Sequence, residues 1–123
     1  MNEIIKKIEK VYEAINSERT GTRLFALFHR TDIDNKWDLV ISARWFSNDK
    51  RKDLIYVIEK LKERLTENDI EILDRIELIR PSGKFVTDII KSAGPISEPK
   101  EFRDLSIGDI RFDDVWIFMT SSN

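Results

Sequence analysis

Three consecutive cations, Lys50, Arg51 and Lys52, open a predicted helix and are the residues of this chain best suited to bind an anion. Because a helix N-terminus already carries partial positive charge, basic side chains in its first turn oppose the helix dipole and favour an anionic partner. The free backbone N–H groups of that turn also bind phosphate or carboxylate groups. Arg44 and Trp45 lie just upstream and add a further cation and a stacking surface.

A second polar turn, which follows Pro81, separates another predicted strand from another predicted helix. If the strands before the two turns are parallel, both turns lie at the carboxyl end of the sheet, where open sheets usually bind ligands. The predicted anion-binding edge then consists of Arg44, Lys50, Arg51, Lys52, Ser82 and Lys84. The competing interpretation is that Asp49 and Asp53 neutralise these cations, whose long stems extend into water.

The pair Gly83-Lys84 does not complete a loop for nucleoside triphosphates. That loop needs a first glycine five residues before the Gly-Lys pair, where this chain has Leu78, and Ser or Thr after the lysine, where it has Phe85. We therefore predict that the turn starts an ordinary helix, with Ser82 as its cap.

His29 is the only histidine and hence the only side chain whose ordinary pKa lies near neutrality. A hairpin loop at residues 31–36 would pair His29 with Asp38 and place Ser42 on the same face of the sheet. This arrangement suggests a hydrolase that uses His29 as one alternative function. Because Ser42 lies in mid-strand without a nucleophile turn or oxyanion donors, we predict no catalytic residue.

The same register predicts an apolar sheet face that carries Phe25, Leu27, His29, Val40 and Arg44. The opposite face already provides a core, so the first face needs a cover of its own. A helix of the same chain is the simpler cover. A partner protein or a second copy of the chain is the alternative, and the five residues then form its interface.

No metal or cofactor site is predicted. The chain has no cysteine, which excludes disulfides, thiolate catalysis and cysteine-bound metals. The acidic run from Asp32 to Asp38 lacks the glycine that a calcium loop needs at its sixth position, and Ala43 stands where that loop needs glutamate.

The elements that must position these residues follow from the spacing of apolar side chains. Steps of three and four predict helices over residues 2–17, 50–65 and 85–93. The apolar run from Leu24 to Phe28 and the alternation from Trp37 to Trp45 predict an antiparallel hairpin. Further strands are predicted over residues 75–80, 102–107 and 115–120, whereas residues 70–73 fit a helix or a strand equally well.

Strands that alternate with helices predict an α/β fold, with α+β as the alternative. The expected architecture is a mixed five-stranded sheet in two or three layers with three to four helices, in the order α-β-β-α-β-α-β-β. A length of 123 residues suits one domain. We expect residues 1–120 to form a single globular domain and residues 121–123 to form a frayed tail.

Charge and hydropathy narrow the function classes. The net charge is -2 and the cations are scattered among acidic residues, which argues against binding to nucleic acid or an anionic membrane. No apolar run reaches signal-peptide or membrane-spanning length, so we expect a cytoplasmic protein. The leading hypothesis is a small interaction or regulatory module without catalytic activity that acts through a protein partner or as a homodimer. The alternative is a binder of an anionic small molecule or nucleic-acid backbone at residues 44–52 and 82–84.

Overall fold

The computed structural model describes residues 2–32 and 36–122. The elements of these residues are α1 (Asn2–Glu18), β1 (Thr22–His29), β2 (Trp37–Ala43), α2 (Lys50–Arg64), α3 (Glu67–Ile70), β3 (Leu73–Ile79), α4 (Lys84–Ala93), β4 (Lys100–Ile107) and β5 (Ile110–Thr120). The predicted order is confirmed. Ile70 ends α3, Leu73 begins β3, and residues 71–72 form the turn between them. Residues 33–35 of the predicted hairpin loop and residue 123 of the predicted tail lie outside the described residues. None of the described helices is long and apolar enough to cross a membrane.

The five strands form one open mixed sheet in the order β3-β2-β1-β5-β4. The hairpin of β1 and β2 is antiparallel, as predicted, and β5 and β4 extend the sheet in antiparallel pairs on the other side of β1. The strands β2 and β3 are parallel because α2 crosses over between them, which is also confirmed. Together with its helices, the sheet makes an α+β fold, the second of the two predicted classes.

Helices cover both faces of the sheet. The first two helices bury Ile8 and Val57 against one face, where they meet Phe25 of β1. The helix α4 buries Val86 and Ile89 against the other face. The resulting three layers explain why β1 is continuously apolar from Leu24 to Phe28, since both of its faces pack against helices.

The predicted register of the hairpin is wrong by one residue. His29 lies opposite Trp37 rather than Asp38, and the other pairs shift with it. Because residues 24–28 are apolar on both faces, the hydrophobic pattern does not distinguish the two registers, and the assumed loop decided the prediction. As a result, Val40 packs on the α4 side of the sheet, away from the face assigned to it.

Candidate ligand-binding cleft

A cleft of about 680 Å³ opens at the carboxyl ends of β2 and β3. Because the two strands are parallel neighbours, the turns that follow them meet at one edge of the sheet, as predicted. The turn after β2 and the start of α2 provide one wall, and the end of β3 and its turn provide the other. The cleft, which we call the carboxyl-edge cleft, is lined by Ala43, Arg44, Phe46, Ser47, Asn48, Lys50, Asp53, Leu78, Arg80, Pro81 and Ser82.

Three exposed cations line this cleft, namely Arg44, Lys50 and Arg80. Over residues 2–32 and 36–122, none of the three side chains forms an ion pair, a hydrogen bond or a ring contact. Some cations outside the cleft are paired, as in Lys7 with Asp69 and Lys60 with Glu18, both at 2.7 Å. The cleft therefore gathers three positive charges that no described residue pairs.

The two carboxylates beside these cations hold the backbone of the loop. Asp49 caps α2 by accepting a hydrogen bond from the backbone N–H of Lys52 at 3.1 Å. Asp53 is only 3% exposed and accepts hydrogen bonds from the backbone N–H of Ser47 at 2.8 Å and from its hydroxyl at 3.0 Å. Both carboxylates thus fix the shape of the wall, and neither forms an ion pair with a described cation.

Half of the predicted anion-binding set lines the cleft, namely Arg44, Lys50 and Ser82. The expected helix-capping role of Ser82 is wrong. Gly83 occupies the cap position of α4 without a side-chain hydrogen bond, because the helix begins one residue later than a Ser82 cap would require. The Ser82 hydroxyl consequently has no partner among the described residues and remains available in the cleft.

The other three members of the predicted set do not line the cleft. Arg51 and Lys52 are exposed on the first turn of α2, outside the cleft walls. The ammonium group of Lys84 lies 2.8 Å from the Asp88 carboxylate, one helical turn along α4. Arg51 and Lys52 point away from Lys50 because successive side chains on a helix are about 100° apart.

Phe46, rather than Trp45, supplies an aromatic ring to the cleft. The indole N–H of Trp45 donates to the Thr22 hydroxyl at 3.1 Å, and its ring packs against Phe46 at 4.8 Å and Tyr56 at 5.5 Å between centroids. The Arg19 guanidinium lies 5.3 Å from the same ring. Contacts within the chain therefore occupy the stacking surface that the sequence assigned to Trp45.

Arg80 is a cation of the cleft that is absent from the predicted anion-binding set. It directly follows β3, and its turn is held by the Arg23 guanidinium, which donates to the Pro81 carbonyl at 2.5 Å and to the Ser121 carbonyl at 3.1 Å. Its position in the sequence could have indicated this role, since a basic residue just after a parallel strand lies at the edge where ligands bind.

His29 does not lie beside Asp38. Its Nδ1 atom is 3.2 Å from the carboxylate oxygens of Asp113, and its ring lies 4.9 Å from that of Trp37. Asp38 is opposite Phe28 in the hairpin, so its side chain is on the other face of the sheet from His29. The shifted register thus removes the His-Asp-Ser arrangement considered above.

The five residues proposed as an interface do not form one surface. Phe25 and Leu27 are completely buried beneath the helices of their own chain, and Val40 is buried on the opposite face. His29 is partly exposed at one end of the hairpin, and Arg44 lies at the other end in the carboxyl-edge cleft. The face that needed a cover is therefore covered by helices of the same chain.

The amino ends of β2 and β3 carry an ion-pair network built from Arg30, Asp32, Asp38, Asp74 and Arg75, which we call the amino-edge network. Arg30 contacts the carboxylates of Asp32 at 2.6 Å, Asp74 at 2.5 Å and Asp38 at 3.8 Å, and Arg75 lies 3.6 Å from Asp38. The hydrogen bonds from Arg30 lower the pKa of Asp32. Burial raises the pKa of Asp38 in spite of the two guanidinium groups.

Asp114 on β5 and Glu101 on β4 form a pair of like charges. Burial and a hydrogen bond with Glu101 raise the pKa of Asp114 to about 6. Two carboxyl groups that share a site in this way favour retention of a proton by one of them. Within the described part of the chain, no group of three or more His, Asp or Glu side chains is arranged to hold a metal ion.

Comparison of the chain with protein-family models, with curated proteins and with solved structures gives no match. The interpretation of the site therefore depends on the cleft and its charges.

Proposed function

We propose that this protein is a small binding module, without catalytic chemistry of its own, that takes an anionic ligand in the carboxyl-edge cleft. One observation carries the proposal: Arg44, Lys50 and Arg80 line a single cleft without a carboxylate partner among the described residues. Cations that converge on a concave surface attract anions strongly, because the low-dielectric walls concentrate their field. Lys50 is also the first residue of α2, where the helix dipole favours negative charge.

The shape of the cleft favours a small molecule over a nucleic-acid backbone or a protein surface. Its volume of about 680 Å³ falls in the ordinary range for small-molecule sites, about 300 to 1,000 Å³. The net charge of -2 gives no general attraction for a polyanion. A protein partner remains a prediction, which pull-down experiments test. Self-association also remains a prediction, which light scattering tests. We propose the reducing cytoplasm as the location of this cysteine-free chain.

The adjacent residues Lys50 and Arg51 offer a matched test. Lys50 lines the cleft, whereas Arg51 is also exposed and also unpaired among the described residues but lies outside the walls. In an NMR titration with inorganic phosphate, we expect Lys50→Gln to weaken binding several-fold and Arg51→Gln to leave it nearly unchanged. Equal losses in both variants would indicate a diffuse surface charge instead of a site.

A double substitution gives a larger effect. Arg44→Gln combined with Arg80→Gln removes the cations at the ends of both strands and should reduce phosphate affinity at least tenfold. The control is Arg64→Gln with Lys91→Gln, which changes the net charge equally at exposed sites outside the cleft. Phosphate binding that survives the first pair, or that shows no decrease with added salt, contradicts the proposal.

A further inference from the structure

The charges of the carboxyl-edge cleft indicate how much negative charge its ligand carries. Arg44, Lys50 and Arg80 contribute three positive charges, and the Asp53 carboxylate contributes one negative charge. The walls therefore carry a net charge of about +2. A phosphate monoester carries about -1.5 to -2 at neutral pH, which matches this value. A single carboxylate would leave a cation without a partner.

The walls also indicate what the charged group is attached to. Ala43 and Leu78 form an apolar part of the lining, and the half-buried ring of Phe46 forms another. A phosphate ion alone would leave this apolar surface and most of the volume in contact with water. A planar ring fills such a space and packs against an aromatic side chain, which favours a ligand with an aromatic body.

Two free polar side chains are present on opposite walls. Asn48 belongs to the turn after β2 and Ser82 to the turn after β3, and neither side chain has a hydrogen-bond partner among the described residues. An amide offers both a donor and an acceptor, and a hydroxyl can act as either. These groups suit the polar edge of a ring or the hydroxyl groups of a sugar.

We infer that the ligand of the carboxyl-edge cleft is a small phosphate monoester with a planar ring, of the kind represented by a nucleoside monophosphate. The phosphate contacts the three cations at the cleft, and the ring packs on Phe46. This inference rests on the proposed function, because it assigns a chemical class to the anion that the same cleft binds.

Four probes separate the parts of this inference. Inorganic phosphate supplies charge alone, ribose 5-phosphate adds a sugar, phenyl phosphate adds a ring, and adenosine monophosphate carries both. By calorimetry or NMR, the two ring-bearing probes should bind about tenfold more tightly than inorganic phosphate, and ribose 5-phosphate should not. Adenosine monophosphate that binds more tightly than phenyl phosphate identifies a nucleotide, and the reverse order identifies another aromatic phosphate.

Substitution of Phe46 tests the position of the ring. Phe46→Leu keeps an apolar side chain of similar size, so we expect it to remove the tenfold advantage of the ring-bearing probes over inorganic phosphate. The control is Phe112→Leu, since Phe112 packs against Phe28 and Phe85 and lies outside the cleft walls.

The outcomes distinguish this inference from the proposed function. If inorganic phosphate binds through Lys50 but the rings add no affinity, the inference is overturned and the proposed function stands. If none of the four probes binds, both are overturned. A phosphotyrosine peptide that binds more tightly than phenyl phosphate and adenosine monophosphate would overturn the assignment to a small molecule.

Discussion

The strands β2 and β3 carry charged side chains at both ends, but the two ends use them in opposite ways. At the amino ends, Arg30 and Arg75 are surrounded by the carboxylates of the amino-edge network. At the carboxyl ends, Arg44 and Arg80 have no such partner among the described residues. The same two strands thus join an edge whose arginines form ion pairs to an edge whose arginines have no partner among the described residues.

This difference follows from what the neighbouring carboxylates do. The carboxylates of the amino-edge network point at guanidinium groups, and their positions are fixed by those ion pairs. At the carboxyl edge, Asp49 and Asp53 accept hydrogen bonds from the backbone of their own loop. Charges that are paired within the fold contribute to its structure, whereas cations that the fold leaves unpaired in a cleft are free to bind a ligand.

Removal of the Asp53 carboxylate should have the largest effect on stability. Asp53→Ala leaves the backbone N–H of Ser47 without its acceptor and removes one acceptor of the Ser47 hydroxyl, which we expect to lower the free energy of unfolding by about 1 to 3 kcal/mol. Urea denaturation measures this change. Asp49→Ala, which removes only a helix cap, is the matched control and should cost about 1 kcal/mol. A smaller loss for Asp53→Ala than for its control would contradict the structural role of Asp53.

A carboxylate placed in the cleft should convert the open edge into one that pairs its own charges. Ser82→Asp adds a negative charge beside Arg80, so we expect phosphate affinity to fall about tenfold while the free energy of unfolding changes by less than about 0.5 kcal/mol. Isothermal calorimetry and urea denaturation measure the two quantities. Ser82→Asn is the neutral control and should retain binding. Full phosphate affinity in Ser82→Asp would show that this wall does not face the ligand.

The Glu101 and Asp114 pair tests the effect of like charges on stability, whereas the amino-edge network pairs opposite charges. The pKa of Asp114 is about 6 in the folded protein and ordinarily 3.8, so the folded state holds the proton more tightly. The resulting stability is fully present below pH 3.8 and is lost as the pH rises through 6. We therefore expect Asp114→Asn to raise the free energy of unfolding by about 1 kcal/mol at pH 7.5 and to change it little at pH 3.5.

Urea denaturation at the two pH values measures this difference. Arg103→Gln serves as a control, because Arg103 lies opposite Asp114 in the β4 and β5 pair and its charge opposes the shift of the pKa. It should make the protein less stable at pH 7.5. A gain for Asp114→Asn that is the same at both pH values would exclude the shared proton as its cause.

The smallest effect is expected within the amino-edge network itself. Arg75 is 54% exposed and makes only distant ion pairs, so Arg75→Gln should change the free energy of unfolding by less than about 0.5 kcal/mol. Arg30 is 18% exposed and makes the short contacts, so Arg30→Gln should lower the midpoint of urea denaturation further. Equal midpoints for the two variants would show that burial of the cation does not determine its contribution.

The order of elements and the parallel pair could be predicted because periodicity, turn residues and crossover handedness all agreed. The hairpin register could not be predicted. Both β1 and β2 pack against helices on their two faces. A shift of the register by one residue would therefore still bury the apolar side chains, and the sequence pattern does not distinguish the two registers. The predicted pairing of His29 with Asp38 and the predicted interface at Val40 both depended on that register, and both changed with it.

The location of the candidate site could be predicted better than the residues that line it. The two turns meet because their strands are parallel, and this geometry brings Arg44 together with Ser82. Which side chains of a helical turn face the cleft depends on the rotation of the helix, so Lys50 lines the cleft and Arg51 does not. The position of Phe46 likewise depends on how the Trp45 ring packs. The order of residues in the sequence does not give this packing.

The central position of β1 has a consequence for how the chain folds. β1 pairs with β2 through a local hairpin but with β5 across almost the whole sequence, and Arg23 reaches Ser121 over a separation of 98 residues. Long-range pairing of this kind slows folding, because a large loop must close before its contacts form. During synthesis, one edge of this apolar central strand stays unpaired until β5 has been made. Chaperone dependence should therefore arise at this edge of β1.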